Sequence, residues 1–371
     1  MARNLSIFSF FSGSGLLDLG FEDNGYNIAF VNEFCKAFLD AYKFVREKNN
    51  YNHPKYGYSN ISIEDYLSNA NNTFLRQQLR RERRLDNLTG FIGGPPCPDF
   101  SVGGKNKGKN GDNGKLTGIY FELICDLKPD FFIFENVKGL WRTKKHRDFY
   151  EEMKKNVSNR GYITTEQLVN AIEFGVPQDR DRILLFGIRG KLLKSKNDIL
   201  NFNWNKYKTY SRDVLFNMNW PLKNKFQEQI AVPKNIVNEL TVSYWFTKNN
   251  VESHDNTGDQ FIPRAGFSKF ISIEEGDVSK KSYKRLHRYR YSPTAAYGNN
   301  EVHIHPMEPR RLNVAEALAI QSLPQFFSLP KGMTLTQKFK TVGNGVPYLL
   351  SKGISQSVMS FFDDFSCGVS I

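Results

Sequence analysis

The chain has 371 residues, 40% of them hydrophobic and 24% charged, with 51 Lys and Arg against 38 Asp and Glu. No apolar run approaches the roughly 18 residues of a membrane span, which excludes an integral helical membrane protein. The four cysteines show neither Cys-x-x-Cys nor a metal-type spacing, which argues against a disulfide framework or a zinc cluster. The net charge of +13 favours a polyanion as partner of a reduced, cytoplasmic protein.

The opening MARNLSIFSFF has the length of a secretory core, but cleavage there would remove the glycine turn that follows, so it reads as a strand. LSIFSFF (5–11), NIAFVN (27–32), GFIGG (90–94), DFFIFENV (130–137) and RILLFGI (182–188) read as buried strands. LLDLGFEDNG, CKAFLDAYKFVREK, IYFELICDLK and HRDFYEEMKKNVSNRG between them read as helices, the last closing on Gly161. Such alternation predicts an α/β fold, a mostly parallel sheet with helices on both faces. The basic run RQQLRRERR (76–84) reads as a solvated helix face.

Beyond residue 190 the periodicity fails and Lys, Asn, Tyr and Ser dominate. Residues 191–307 hold 18 Lys and Arg against 11 Asp and Glu, a net of +7; residues 1–190 hold 27 against 23, a net of +4. The later segment is therefore the expected nucleic-acid surface. RRLNVAEALAIQSLP (310–324) restores helical spacing, with Asn313 and Glu316 in a capping-box pattern, and a regular element follows VGNGVP (342–347). The expected division is a catalytic and cofactor-binding domain over 1–190, a smaller irregular domain over 191–309, and a segment over 310–371 that returns to the first domain.

Several short motifs carry chemistry. GGPPCPDFS places Cys97 among Pro95, Pro96 and Pro98, each of which fixes φ and removes a donor, so the thiol is presented on a rigid turn after a strand. A cysteine that only filled core volume would not need that setting. FFSGSGLLDLG is a glycine turn after a strand, but Asp18 stands where the dinucleotide fingerprint has its third glycine. With Glu33 after the next strand placed for ribose hydroxyls, a cofactor with adenosine and no diphosphate fits best, which points to S-adenosylmethionine. Glu135 and Asn136 end a buried strand on the edge where open α/β sheets bind ligands. Gln178, Arg180 and Arg182 stand at period two, which in extended chain aims all three to one side, and paired guanidiniums suit a phosphate or a carbonyl oxygen.

Taken together and in this order, FFSGSG, NE (32–33), GGPPCPDFS, ENV, QDRDR, RRLNVAEALAIQSLP and GNGVP resemble the DNA cytosine-5 methyltransferases of bacterial restriction–modification systems. The resemblance covers roughly residues 5–190 and 308–355. It implies a Rossmann-like S-adenosylmethionine-dependent methyltransferase fold with a target-recognition domain over the variable segment. It also implies Cys97 as the nucleophile that adds to C6 of cytosine, Glu135 as the acid at N3 with a carboxyl pKa raised by burial, Arg182 holding the O2 side and Glu135, and Arg180 nearer the cysteine loop and phosphate.

The resemblance likewise implies a cofactor pocket made by Phe11, Ser12, Gly13, Gly15, Leu16, Glu33, Asn60, Ile61, Pro96, Tyr120, Asn344 and Val346, and no metal. Ser101, Lys105, Lys107 and Lys109 in the glycine- and lysine-rich loop, with Gln178, Arg288, Arg290 and Thr294, are the implied DNA contacts. The partners so implied are duplex DNA, carrying a cytosine flipped out of the stack, and a cognate restriction endonuclease; the chain is expected to be a monomer and to bind no membrane. Three departures from the family pattern stand out: Ser9-Phe10-Phe11 for Asp-Leu-Phe, Pro98 for Gln, and Asn60 for an Asp. Methylation of cytosine in tRNA and a catalytically inert DNA-binding regulator are the alternatives. The basic insert speaks against the first, and the retained Cys97 and Glu135 against the second.

Overall fold

A computed structural model describes residues 4–96, 112–262, 267–295, 297 and 301–366. Cys97, Pro98 and the loop with Ser101, Lys105, Lys107 and Lys109 lie outside them. Its strands β1 (Leu5–Phe10), β2 (Asn27–Asn32), β3 (Tyr58–Ser59), β4 (Leu88–Gly93), β5 (Phe131–Val137), β6 (Tyr162–Asn170) and β8 (Asp181–Arg189) form one sheet in the order β3-β2-β1-β4-β5-β8-β6, with β7 (Gln178–Asp179) outside it. The helices are α1 (Leu16–Glu22), α2 (Lys36–Lys48), α3 (Asn69–Arg84), α4 (Asp112–Leu127), α5 (Lys138–Arg142), α6 (Lys144–Asn159), α7 (Arg212–Phe216), α8 (Val242–Lys248), α9 (Phe267–Ser272), α10 (Val314–Ile320), α11 (Leu335–Asn344) and α12 (Tyr348–Ser366).

The sheet is buried on both faces because its central strands are mainly apolar, and the polar side chains they bury, such as Ser6, Ser9 and Thr89, are hydrogen-bonded. In β1, Leu5 and Ile7 face one layer, which holds α1 and α12, while Phe8 and Phe10 face the other, with α3 and α4. In β5, Phe131 and Ile133 face the first layer and Phe132 and Phe134 the second. Each such ring taken wholly from water stabilises the fold by about 1.5–3 kcal/mol before the cost of ordering it.

β1 to β5 pair in parallel, and β8 runs antiparallel to both β5 and β6. The mostly parallel sheet is as expected, with one strand reversed. Strand order turns back between β1 and β4, which opens a crevice at their C-terminal ends. β6 has no counterpart among the strands expected from the sequence. It is an edge strand with six half-buried residues in its middle, so it lacks the apolar run that marks the others.

The chain past 190 does not leave the sheet at once. Phe202 stacks on Phe186 at 4.4 Å and meets Phe361 at 5.6 Å, with Trp204 4.6 Å from Phe202. The chain as far as Trp204 therefore packs with the first layer of the sheet. The later segment is tied back by a short parallel pairing of β10 (Ser292–Pro293) with β7, after β9 (Lys284–Arg285) and before β11 (His303–Ile304). Asn313 caps α10 as its sequence predicts: its side chain accepts from the Glu316 N–H at 2.8 Å, and Glu316 accepts from the Asn313 N–H at 2.9 Å. α12 then packs Ile354, Val358, Phe361 and Phe362 under the sheet.

Candidate active site

Five connections meet at the C-terminal edge of the parallel strands. After β1 the chain turns sharply: Phe11 has φ +53°, Gly13 +58° and Gly15 +84°. The left-handed region costs a non-glycine residue about 1–2 kcal/mol, so Phe11 is held against preference, its ring edge-on to Tyr120 at 6.0 Å. Gly15 could carry no side chain, because a Cβ would fall 2.3 Å from the buried Arg46 guanidinium. Arg46 donates to the carbonyls of Ser14 at 3.3 Å and Gly15 at 2.9 Å, which pins the turn from behind.

After β2, the Glu33 carboxylate accepts from the Gly13 N–H at 2.8 Å and from the Cys35 N–H at 2.7 Å. Burial pushes its carboxyl above the ordinary range, and those two backbone donors oppose the rise. A carboxylate offers about four acceptor sites, so two remain for a vicinal diol. Asn60 fixes this corner by donating to the carbonyls of Glu33 at 2.8 Å and Phe34 at 2.7 Å. Phe34 itself is 71% exposed beside Glu33, a large apolar ring left at the rim of the crevice. Sequence reasoning missed it; the signal was an aromatic directly after the candidate ribose carboxylate.

The other residues expected in the pocket sit at different depths. Tyr120 is fully buried and donates to the Ile133 carbonyl at 3.1 Å, so it supports Phe11 from beneath. Leu16 and Val346 are buried too, in the apolar layers behind the turn. Ser12 is buried and donates to the Asn32 carbonyl at 3.2 Å. Ile61 packs half-buried on the second layer, Pro96 is half-buried after β4, and Asn344 is exposed at the end of α11.

At the end of β5, Glu135 is 7% exposed and its Oε1 lies 2.6 Å from Arg182 Nε on the antiparallel β8. Its other oxygen faces Gly94, where a Cβ would come within 2.7 Å of it. Asn136 donates to the Pro95 carbonyl at 3.3 Å, so the ENV strand holds the backbone that leads into Cys97. A buried carboxyl, a guanidinium and the approach to a thiol thus share one edge with the turn and Glu33.

Arg180 is held from several sides. It is 1% exposed and donates to Gln178 Oε1 and the Ala295 carbonyl, each at 3.2 Å, and to the carbonyls of Gly343 at 2.9 Å and Gly345 at 3.1 Å. With four acceptors among the described residues, its guanidinium braces the backbone on either side of Asn344.

Residues 5–360 match the family described as C-5 cytosine-specific DNA methylase. The chain belongs to that family. It is 54% identical over 96% of its length to the type II methyltransferase M.NmeDI of Neisseria meningitidis serogroup C, covering 84% of that protein. With M.FnuDI of Fusobacterium nucleatum it shares 28% identity, over 95% of each chain. Among solved structures, a DNA modification methyltransferase encoded within an E. coli prophage superposes with TM-score 0.66 at 20% identity, over 97% of this chain and all of that one. The Dnmt2 methyltransferase of S. pombe does so with TM-score 0.59 at 13% identity, over 98% and 99%, and both likenesses bear on the fold alone. The enzyme is a DNA methyltransferase with S-adenosylmethionine as methyl donor.

Two of the methylase's expected DNA contacts are engaged elsewhere. Gln178 is fully buried; it donates to Gln321 Oε1 at 3.3 Å and accepts from the Ala295 N–H at 2.9 Å. Arg288 grips Glu275 through two nitrogens, at 3.0 and 2.8 Å, and donates to the Glu228 carbonyl at 2.6 Å. Gln178 is thus held against the chain at Ile320 and Gln321, and Arg288 within the segment beyond residue 190. Arg290 is half-buried over the Tyr291 ring at 5.1 Å, and Thr294 is exposed with its hydroxyl on the Asp179 carbonyl at 2.6 Å. Among the described residues no group of His, Cys, Asp and Glu could hold a metal, and no helix is long and apolar enough to cross a membrane.

Proposed function

We propose that this methylase is the modification enzyme of a restriction–modification pair, methylating C5 of a cytosine flipped out of duplex DNA at a defined sequence and so protecting that DNA from a cognate endonuclease. The observation that carries the reaction is the Glu135–Arg182 pair beside the Gly94–Pro96 backbone that leads to Cys97. The type II methyltransferase sharing 54% identity supports the biological setting.

C5 of cytosine is a weak nucleophile. In this reading the Cys97 thiolate forms an S–C6 bond, the C5–C6 electrons shift into the ring, and Glu135 holds a proton at N3 to accept the charge. Arg182 keeps the Glu135 carboxyl in place for that contact. C5 then takes the methyl, its proton leaves to solvent, and loss of Cys97 restores the C5–C6 double bond. S-adenosylmethionine supplies the electrophilic methyl on a sulfonium. The residues present fit it: Glu33 has acceptor sites left for the ribose, the Gly13–Gly15 turn allows close approach, and Phe34 offers a ring for adenine. Arg290 and Thr294, with the loop that carries Ser101, Lys105, Lys107 and Lys109, are the candidate DNA contacts, and the segment up to residue 309 is the candidate target reader.

The test is methyl-labelled S-adenosylmethionine with mixed-sequence duplex DNA, digested to nucleosides, with Cys97→Ala in parallel. Labelled 5-methylcytosine that disappears in the variant is expected. Label in any other nucleoside, or label that survives Cys97→Ala, would contradict the mechanism.

A further inference from the structure

The arginines of the run RQQLRRERR are not scattered around α3. Arg76, Arg80 and Arg83 stand at i, i+4 and i+7 and so form one row on one face, about 10 Å long at 1.5 Å per residue. That row lines a cavity of about 810 Å³, which also receives Lys128 from the end of α4, Arg160 from the end of α6 and Arg189 from the end of β8. Four elements thus deliver six cations to one concavity, against two carboxylates, Glu122 and Asp126.

Internal pairing does not consume this charge. Arg76 is matched by Asp126 at 2.9 Å, and Arg83 and Arg189 share Asp130 at 3.4 and 3.6 Å. Arg80, Lys128 and Arg160 are exposed and take part in no ion pair among the described residues. Cations gathered in a concave wall focus a positive potential, and planar guanidinium forks match phosphate oxygens. A row of them suits a linear polyanion better than a single phosphate. The lining contains no aromatic side chain on which a base could stack, so recognition would be of backbone and indifferent to sequence.

The cavity is remote from the chemistry. It lies at the end of β5 where Asp130 precedes Phe131, and at the end of β8 marked by Arg189; Glu135 and Arg182 occupy the opposite ends of these two strands. Five residues of strand put about 17 Å between them, with the sheet in the way. A duplex seated at Glu135 leaves this cavity open to another segment.

We infer that the α3 cavity is a second, sequence-independent site for nucleic-acid backbone, which holds a stretch of DNA other than the one being methylated and keeps the enzyme on long DNA between targets.

The test is the double variant Arg80→Glu/Arg160→Glu, compared with Lys155→Glu/Lys331→Glu, which reverses the same charge at exposed positions outside the cavity. Affinity for long non-target DNA is measured against salt, and methyl transfer on a short duplex is measured beside it. Loss of two phosphate contacts should flatten the plot of log affinity against log salt by about 1.8 in the cavity variant alone, while turnover on the short duplex is unchanged. Equal slopes in the parent and the cavity variant would overturn the inference. So would equal flattening in both variants, or inorganic tripolyphosphate bound in the cavity that long DNA fails to displace, which would mark a small-anion site. The short-duplex turnover reports separately on the methylation mechanism.

Discussion

Glu135 Oε1 and Arg182 Nε lie 2.6 Å apart, on two strands that run in opposite directions and are joined by a register in which Val137 faces Arg182. The pair is nearly closed to solvent, so the carboxyl is held in one place by a fixed fork. Replacement of Glu135 by Gln keeps the shape and removes the proton-exchanging group. Turnover should fall by about 10² to 10⁴ with S-adenosylmethionine affinity unchanged, read from single-turnover kinetics and a binding titration. A variant that turned over normally would remove Glu135 from the chemistry.

Gly94 is the second handle on that carboxyl. A methyl group there would sit 2.7 Å from Glu135 Oε2, so Gly94→Ala should push the carboxyl off its position. A displacement near 1 Å at a reacting centre costs about 10² in rate. Melting temperature close to the parent's, together with that loss, is the expected result; full activity would show that the carboxyl can give way freely.

Arg180 joins the strand entry to the backbone at Ala295, Gly343 and Gly345. A lysine keeps the charge but cannot reach four acceptors, and a buried carbonyl left without a donor costs about 1–3 kcal/mol. Arg180→Lys should therefore lower stability by about 2–4 kcal/mol, seen in urea denaturation, and should weaken substrate binding more than it slows the bound complex. A variant as stable as the parent would refute the bracing role.

His303 is wholly buried, and its pKa is pushed down to about 3 by burial first and then by the nearby charges of Lys284 and Arg311. The unfolded imidazole titrates near 6.5, so its contribution to stability is fully present above that value. Between pH 6.5 and 3 the unfolded chain takes a proton that the native state refuses, and stability falls as pH is lowered. At pH 5 the deficit is about 2 kcal/mol. His303→Phe should lessen the drop in unfolding free energy between pH 8 and pH 5 by about that amount, a comparison that leaves His305, also shifted to about 3, the same in both proteins. An unchanged drop would place the titration elsewhere.

Much of this protein was legible before any coordinate. The strands at 5–10, 27–32, 88–93, 131–137 and 181–189 announce themselves because both faces of a central strand are buried, so most positions are apolar. The Asn313 cap and the glycine turn are equally local, set by side chains a few residues apart. β6 escaped because an edge strand needs no such run.

Tertiary structure decided what depends on partners distant in sequence. Period-two spacing put Gln178, Arg180 and Arg182 in one series, but sequence says nothing of which acceptors lie opposite. Arg182 meets Glu135 across a strand pair, whereas Gln178 and Arg180 are buried beneath the returning C-terminal segment, where carbonyls of residues 295, 320, 343 and 345 claim them. The cationic cavity follows the same rule. Its three α3 arginines are visible in the sequence as a helical row, but Lys128, Arg160 and Arg189 join them only when the sheet packs four elements at one edge. Local pattern reports the period of burial along one element; charge and hydrogen-bond partnership are set by which elements meet, and that is fixed only when the whole chain has folded.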